Sequence, residues 1–376
     1  MNIYRYYGEK LKGLIEKGKV LVIYGPRQVG KTTLIEDFLK SYDGKVYAGS
    51  GDNSQLRDVM ESQDFSRIVS YFDDYDLIFI DEAQRIENIG YGLKIIVDQL
   101  PEKYIIATGS SSFDLSNKVG EPLVGRQKVL KLYPIAMLEL KKDFGTAFLL
   151  EELQNLLIYG GYPEVLTKKG IGAKEEYLSQ IVDSYLYRDI LELENIKNSK
   201  KILDLLRLIA FQIGNEVSLQ EIGNSLNISK NTVERYLDLL EKSFVLINVR
   251  GYSGNLRKEI TKTSRYYFYD NGVRNAVIGN FNHLDSRDDV GKLWENLMFI
   301  ERLKKQEYHG MIVNNYFWRT WNQKEIDFVE EREGKLFGYE FKWKPKHTTP
   351  PDEWVDTYKQ AEYEEINSSN FVKFVS

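Results

Sequence analysis

The sequence predicts an α/β fold, a mostly parallel sheet that opens on a phosphate-gripping loop, followed by helical and α+β segments. Three stretches point to it. Val20 to Leu34 reads as an apolar strand, a glycine-punctuated loop and a helix start. Residues 76–84 form an apolar run that closes on Asp81 and Glu82, and residues 104–112 form another that ends in Thr108, Gly109 and Ser110. Apolar strands that alternate with helical stretches mark a sheet covered on both faces. Strands are expected at 20–24, 45–48, 77–81, 104–108 and 128–132.

The loop comes first. Gly25, Pro26, Arg27, Gln28, Val29, Gly30, Lys31, Thr32 and Thr33 contain G-x-x-x-x-G-K-[ST], and the flanking VLVIY and TLIEDFLK supply the strand and helix that a bare pattern match lacks. The two glycines let successive backbone N–H groups turn toward phosphates, and a helix starting near Lys31 aims its positive end at them. Lys31 is expected on the β/γ-phosphates of a nucleoside triphosphate and the Thr32 hydroxyl on magnesium. A strand ending in Asp81 and Glu82 places both carboxylates at the carboxyl edge of the sheet, beside the loop. Asp81 would hold the magnesium through water and Glu82 would polarise the attacking water, the parts that phosphoryl transfer requires. Thr108 and Ser110 end the next strand, within reach of the γ-phosphate or that water.

In order and spacing, GPRQVGKT, IFIDEAQ, ATGSSS and Leu123-Val-Gly-Arg126 resemble the AAA-type ATPases of bacteria and archaea that carry a C-terminal domain of unknown function. The resemblance continues through Gly160-Gly-Tyr-Pro-Glu164 and Tyr185-Leu-Tyr-Arg-Asp-Ile190. It implies ATP as the nucleotide, Ser110 as a sensor, and Arg126 and Arg188 as candidates for stabilising charge at the γ-phosphate, in cis or from a neighbouring subunit of a homo-oligomer. A domain-interface ion pair is the alternative for either arginine.

Composition narrows the class. The 376 residues are 42% hydrophobic and 28% charged with a net charge of −5, which fits a multidomain globular chain with at most a local basic patch. There is no cysteine, and only His283, His309 and His347 could serve as imidazole ligands, so thiolate and zinc sites are excluded and an oxygen-bound cation is expected. The charged N-terminus and the lack of a long apolar run predict a cytoplasmic chain with no membrane partner.

Domain boundaries are expected at 1–146 for the nucleotide core, 147–199 for a helical lid, 200–270 for a winged helix and 271–376 for a last α+β domain. Leu149, Leu153, Leu156 and Leu157 recur at helical spacing before Gly160, Gly161 and Pro163 interrupt. From Ser218 to Leu240 a capped helix, a turn at Asn227 and a helix capped by Ser229 read as a helix-turn-helix, and the strands around 244–249 and 264–270 add a wing. Such a unit would present Lys230, Asn231, Thr232 and Arg235 to a major groove and Arg257, Lys258, Lys262 and Arg265 to phosphates. A structural or protein-docking winged helix is the alternative.

The last segment has a helix carrying Glu295, a strand carrying Asp327 and a strand carrying Glu340 and Lys342. It resembles the PD-(D/E)xK nuclease superfamily, although Ile326 replaces the proline. Alternation along a strand puts Glu340 and Lys342 on one face, and pairing brings Asp327 beside them. Two readings stand: a magnesium-dependent DNA-cleaving site, or a nuclease-like scaffold whose inward charges serve assembly. At the level of the whole chain, an ATPase acting on DNA or a DNA-bound partner stands against a nucleotide-regulated interaction switch that neither binds nor cuts DNA.

Overall fold

A computed structural model describes residues 3–110, 123–186, 199–253 and 264–376. The chain divides into two compact units, Asn2–Pro134 with Lys242–Phe244, and Ile135–Glu241 with Val245–Ser376.

The first unit holds a five-stranded sheet in which every pairing is parallel: β1 (Val20–Tyr24), β2 (Val46–Ser50), β3 (Leu77–Asp81), β4 (Tyr104–Gly109) and β5 (Gln127–Lys131), in the order β2-β3-β4-β1-β5. Branched apolar runs such as LIFID are suited to strands buried on both faces. Val22, Ile78, Ile80, Ile105 and Ala107 pack with Leu56, Met60, Phe72 and Ile96 in one core. Each of the Val, Leu, Ile, Met and Phe side chains among them contributes roughly 1.5–3 kcal/mol. Tyr24 pairs with Gly109 and Ser50 with Asp81, so these strands end along one edge. From that edge the chain turns into the helix Lys31–Leu39, entered through Gly30 at φ 91°. Gly25 is required by proximity: a Cβ there would lie 2.0 Å from the Leu132 carbonyl oxygen.

The second unit is built on a seven-stranded mixed sheet: β6 (Glu216–Val217), β7 (Leu246–Gly251), β8 (Ser264–Phe268), β9 (Asn314–Arg319), β10 (Glu325–Arg332), β11 (Lys335–Phe341) and β12 (Glu362–Ile366), in the order β12-β11-β10-β9-β7-β8-β6. Strands β6 to β8 and strands β9 to β12 therefore share one sheet, joined where β7 runs parallel to β9 with Arg250 opposite Tyr316. The β9–β10 register shifts between Ile326 and Val329, which places Asp327 in an irregularity of the kind that re-aims a side chain.

The helices expected of a lid lie in this second unit. The helix Met137–Tyr159 is interrupted at Gly145, where φ is 82°. Gly160 and Gly161 follow because neither position has room for a Cβ: on Gly160 it would lie 2.0 Å from Asp270 Oδ1, and on Gly161, whose N–H donates to Asp270 Oδ2 at 2.7 Å, 2.6 Å from the Ile135 carbonyl oxygen. Burial raises the Asp270 carboxyl to about 6. The helix-turn-helix consists of Leu219–Leu226 and Lys230–Lys242, with Ser218 accepting from Glu221 N–H, Asn227 left-handed and Ser229 accepting from Thr232 N–H. Among the described residues no helix is long and apolar enough to cross a membrane.

Candidate functional site

The carboxyl edge of the first sheet brings the phosphate loop and the acidic strand end together. The loop runs from Gly25 to Thr33 around the buried Val29, with Pro26 buried, Arg27 half-buried, and Gln28 and Thr33 exposed. Lys31 is buried and its Nζ donates to the carbonyls of Gly25 at 2.9 Å and Pro26 at 2.7 Å. Thr32 Oγ1 donates to Asp81 Oδ2 at 2.8 Å. Asp81 Oδ1 accepts the Glu82 N–H at 3.0 Å and the hydroxyl of Thr108. Thr108 is fully buried and spends its proton on Asp81, so it acts as a buttress for that carboxylate rather than as the phosphate-facing group expected of it.

Glu82 departs from ordinary backbone, with φ 48° and ψ 41°. Non-glycine residues held in the left-handed region are strained and cluster at working sites. Gly51 makes room for this turn, since a Cβ there would sit 2.4 Å from the Glu82 carbonyl oxygen. The Glu82 carboxylate accepts from Gln84 Nε2, and the same amide donates to Ser110 Oγ at 3.1 Å. The sequence alone gives Gln84 no role. Its only local signal is its place two residues after Glu82. The set fits a magnesium-bound triphosphate, because magnesium keeps several waters and takes one or two protein oxygens beside the phosphates, and the Thr32 and Asp81 oxygens are already adjacent.

Arg126 lies elsewhere. Its carbonyl accepts the Val20 N–H at the amino-terminal start of β1, whereas the loop leaves from Tyr24 at the other end. That is about 13 Å of strand at roughly 3.3 Å per residue. Its guanidinium is 3.0 Å from Asp98 of the helix Ile89–Gln99, a pairing within the first unit. The in-cis role at the γ-phosphate and the domain-interface pair are both corrected by this placement. Arg188 lies outside the described residues.

A second cluster forms in the other unit. Lys342 Nζ is 2.6 Å from Glu340 Oε1 and 3.9 Å from Asp327 Oδ2, and Asp327 accepts the Phe341 N–H at 2.9 Å. Glu295 accepts from Tyr267 at 2.8 Å and Lys292 at 3.0 Å. The structure thus gathers Glu295, Asp327, Glu340 and Lys342, and adds Arg265. That guanidinium, 3% exposed, pairs with Glu325 at 2.7 Å, approaches Glu295 at 3.9 Å and Asp327 at 4.0 Å, and lies over the Phe317 ring. Burial opposes its charge, but Tyr267 and the carboxylates outweigh that and raise its pKa. Burial, then the Asp327 charge, raises Glu295, and the same causes push Glu340 up to about 7.

One expectation is corrected here. Arg265 cannot meet a phosphate from a wing, because it is buried among carboxylates. Around Glu295, Asp327 and Glu340 cationic side chains sit beside the carboxylates, and among the described residues no group of three or more His, Cys, Asp and Glu side chains is disposed to hold a metal ion. Lys230, Asn231 and Arg235 are exposed on the second helix of the helix-turn-helix, while Arg257, Lys258 and Lys262 lie outside the described residues.

Residues 17–141 match the family described as AAA domain, and residues 150–284 and 290–367 match two domains of unknown function, DUF8612 and DUF4143. An uncharacterized protein of Mycobacterium tuberculosis is 26% identical over 341 residues, covering 89% of this chain and 72% of the relative. One of Haemophilus influenzae is 26% identical over 373 residues, covering 91% and 88%. Among solved structures, RuvB of Thermotoga maritima overlaps 65% of this chain and 86% of its own at 20% identity and a TM-score of 0.30, a likeness too loose to bear on function. The strand order, the phosphate loop against Asp81 and the family match agree: the N-terminal part of this chain is an AAA-type P-loop ATPase domain.

Proposed function

We propose that the chain hydrolyses ATP to ADP and phosphate with magnesium and uses the cycle to act on DNA or on a DNA-bound partner. The observation that carries the hydrolytic reading is the Thr32–Asp81 hydrogen bond, which sets the end of the acidic strand against the phosphate loop with Glu82 one residue further on. The backbone N–H groups from Arg27 to Thr32 and the start of the helix Lys31–Leu39 bind the phosphates. Lys31 exchanges two loop carbonyls for phosphate oxygens. Thr32 and Asp81 would hold magnesium beside the triphosphate, where the ion would supply charge neutralisation. Glu82 orients the attacking water and accepts its proton, and Ser110 donates to the γ-phosphate. Arg126, at the opposite edge of its own sheet, serves only a neighbouring copy in a homo-oligomer.

The exposed Lys230, Asn231 and Arg235 support the DNA reading. A second reading, a nucleotide-regulated interaction switch without DNA binding or nuclease activity, is favoured by the burial of Arg265 and by the cationic occupants of the C-terminal cluster. Lys31→Ala should abolish ATP binding, whereas Glu82→Gln should keep binding and lose turnover by on the order of 10²–10⁴-fold. Wild-type turnover in Glu82→Gln would refute its role. The ATPase rate with and without duplex DNA separates the two readings, stimulation favouring action on DNA.

A further inference from the structure

Gln84 is buried, 8% exposed, in the turn Ala83–Arg85 directly after β3. The turn is fixed by the Arg85 N–H donating to the Glu82 carbonyl at 2.9 Å and the Ile86 N–H to the Ala83 carbonyl at 3.1 Å, with Ala83 fully buried. A glutamine amide nitrogen has two N–H donors. Here it donates to the Glu82 carboxylate and to Ser110 Oγ, which is 4% exposed at the end of β4. The two groups proposed to handle the attacking water and the γ-phosphate, carried on adjacent strands, are thus tied through one neutral side chain.

We propose that Gln84 is a positioning residue that couples Ser110 to Glu82, so that engagement of the γ-phosphate by Ser110 sets the Glu82 carboxylate for water activation. The inference rests on the ATPase reading of the same site. The Ser110 hydroxyl accepts from Gln84 through its lone pair and keeps its own proton to donate to the γ-phosphate. The amide leaves Glu82 its negative charge while fixing one of its oxygens, and the other remains to take the water proton.

The test compares Gln84→Ala, Gln84→Met, Ser110→Ala and the Gln84→Ala/Ser110→Ala pair in the full chain, reading kcat and KM for ATP, ADP affinity and Tm. Gln84→Ala is expected to lower kcat on the order of 10–100-fold while leaving ADP affinity within about twofold. Methionine fills nearly the same volume without N–H donors, so Gln84→Met should be as slow as Gln84→Ala; recovery of kcat in Gln84→Met would assign Gln84 to packing and overturn the proposal. The double variant should lose little more than the worse single variant, as expected of residues that act as a unit. Additive losses, or a kcat for Gln84→Ala equal to wild type, would also overturn it. If the wild-type chain turns over no ATP, the ATPase reading falls and the coupling falls with it. If wild type turns over and Glu82→Gln does not, only the coupling is at stake.

Discussion

Without the Arg265 guanidinium, the buried Glu295 and Asp327 would be left with only the partly exposed Lys292 and Lys342 as cationic neighbours. Removing one partner from a buried charged group strands the others in a low-dielectric site, at a cost of about 3–5 kcal/mol. Arg265→Met should therefore lower the urea-unfolding free energy of the second unit by about that amount; a midpoint matching wild type would show that the guanidinium is not the compensating charge. Glu340 allows a test by pH. Its carboxyl is raised to about 7, first by burial and then by Asp327, with Glu325 also raising it and Lys342 opposing. A carboxyl whose folded pKa lies above its unfolded value binds its proton more tightly when folded. The stability it contributes is present below about pH 4.5 and is lost as pH rises through about 7. Stability measured between pH 5 and 8 should fall with rising pH by this contribution, and Glu340→Gln should flatten the slope. An unaltered slope would place the titrating group elsewhere.

On the helix Lys230–Lys242, the exposed Lys230, Asn231 and Arg235 stand beside the exposed Glu234 and Asp238, so any grip on phosphate is weak and depends on particular contacts. If Lys230 and Arg235 each neutralise a phosphate, the Lys230→Ala/Arg235→Ala variant should show a salt dependence of duplex binding shallower by roughly 2 units. An unchanged slope would assign this helix to a structural or docking role. Legibility at this scale followed the strength of the local pattern. Branched apolar runs announced β1, β3 and β4, and the serine caps announced the helix-turn-helix. The two-residue β6 and the acidic β12, Glu362-Tyr-Glu-Glu-Ile366, carry too little apolar alternation to stand out. Arg265 was misread for a related reason: a basic residue on a wing strand looks the same whether it meets phosphates or carboxylates from β10 and the helix Val290–Tyr308. Gln84 could be seen but not interpreted, because its role depends on Ser110, 26 residues away. The site at the carboxyl edge was legible because its residues sit at strand ends, where topology dictates their company.

Across the second unit, the sheet is continuous from β6 to β12, so a boundary at residue 270 cuts hydrogen bonds rather than a linker. A fragment of residues 199–270 would lose β9 from beside β7 and the carboxylate partners of Arg265, and would expose β7 as a bare edge. We expect it to aggregate or to lack a cooperative thermal transition, whereas residues 135–376 should unfold in one step; a folded, monomeric 199–270 fragment by circular dichroism and gel filtration would contradict this. The β7–β9 pairing also bears on ancestry. Strands up to β8 and strands from β9 onward lie in successive stretches of the gene, yet parting them leaves β7 and β9 without the pairing that joins the two halves of the sheet. Recombination that separated them would leave each with a raw strand edge and, on one side, an orphaned arginine. The two stretches are therefore expected to be inherited as a pair, with lineages keeping or losing both together.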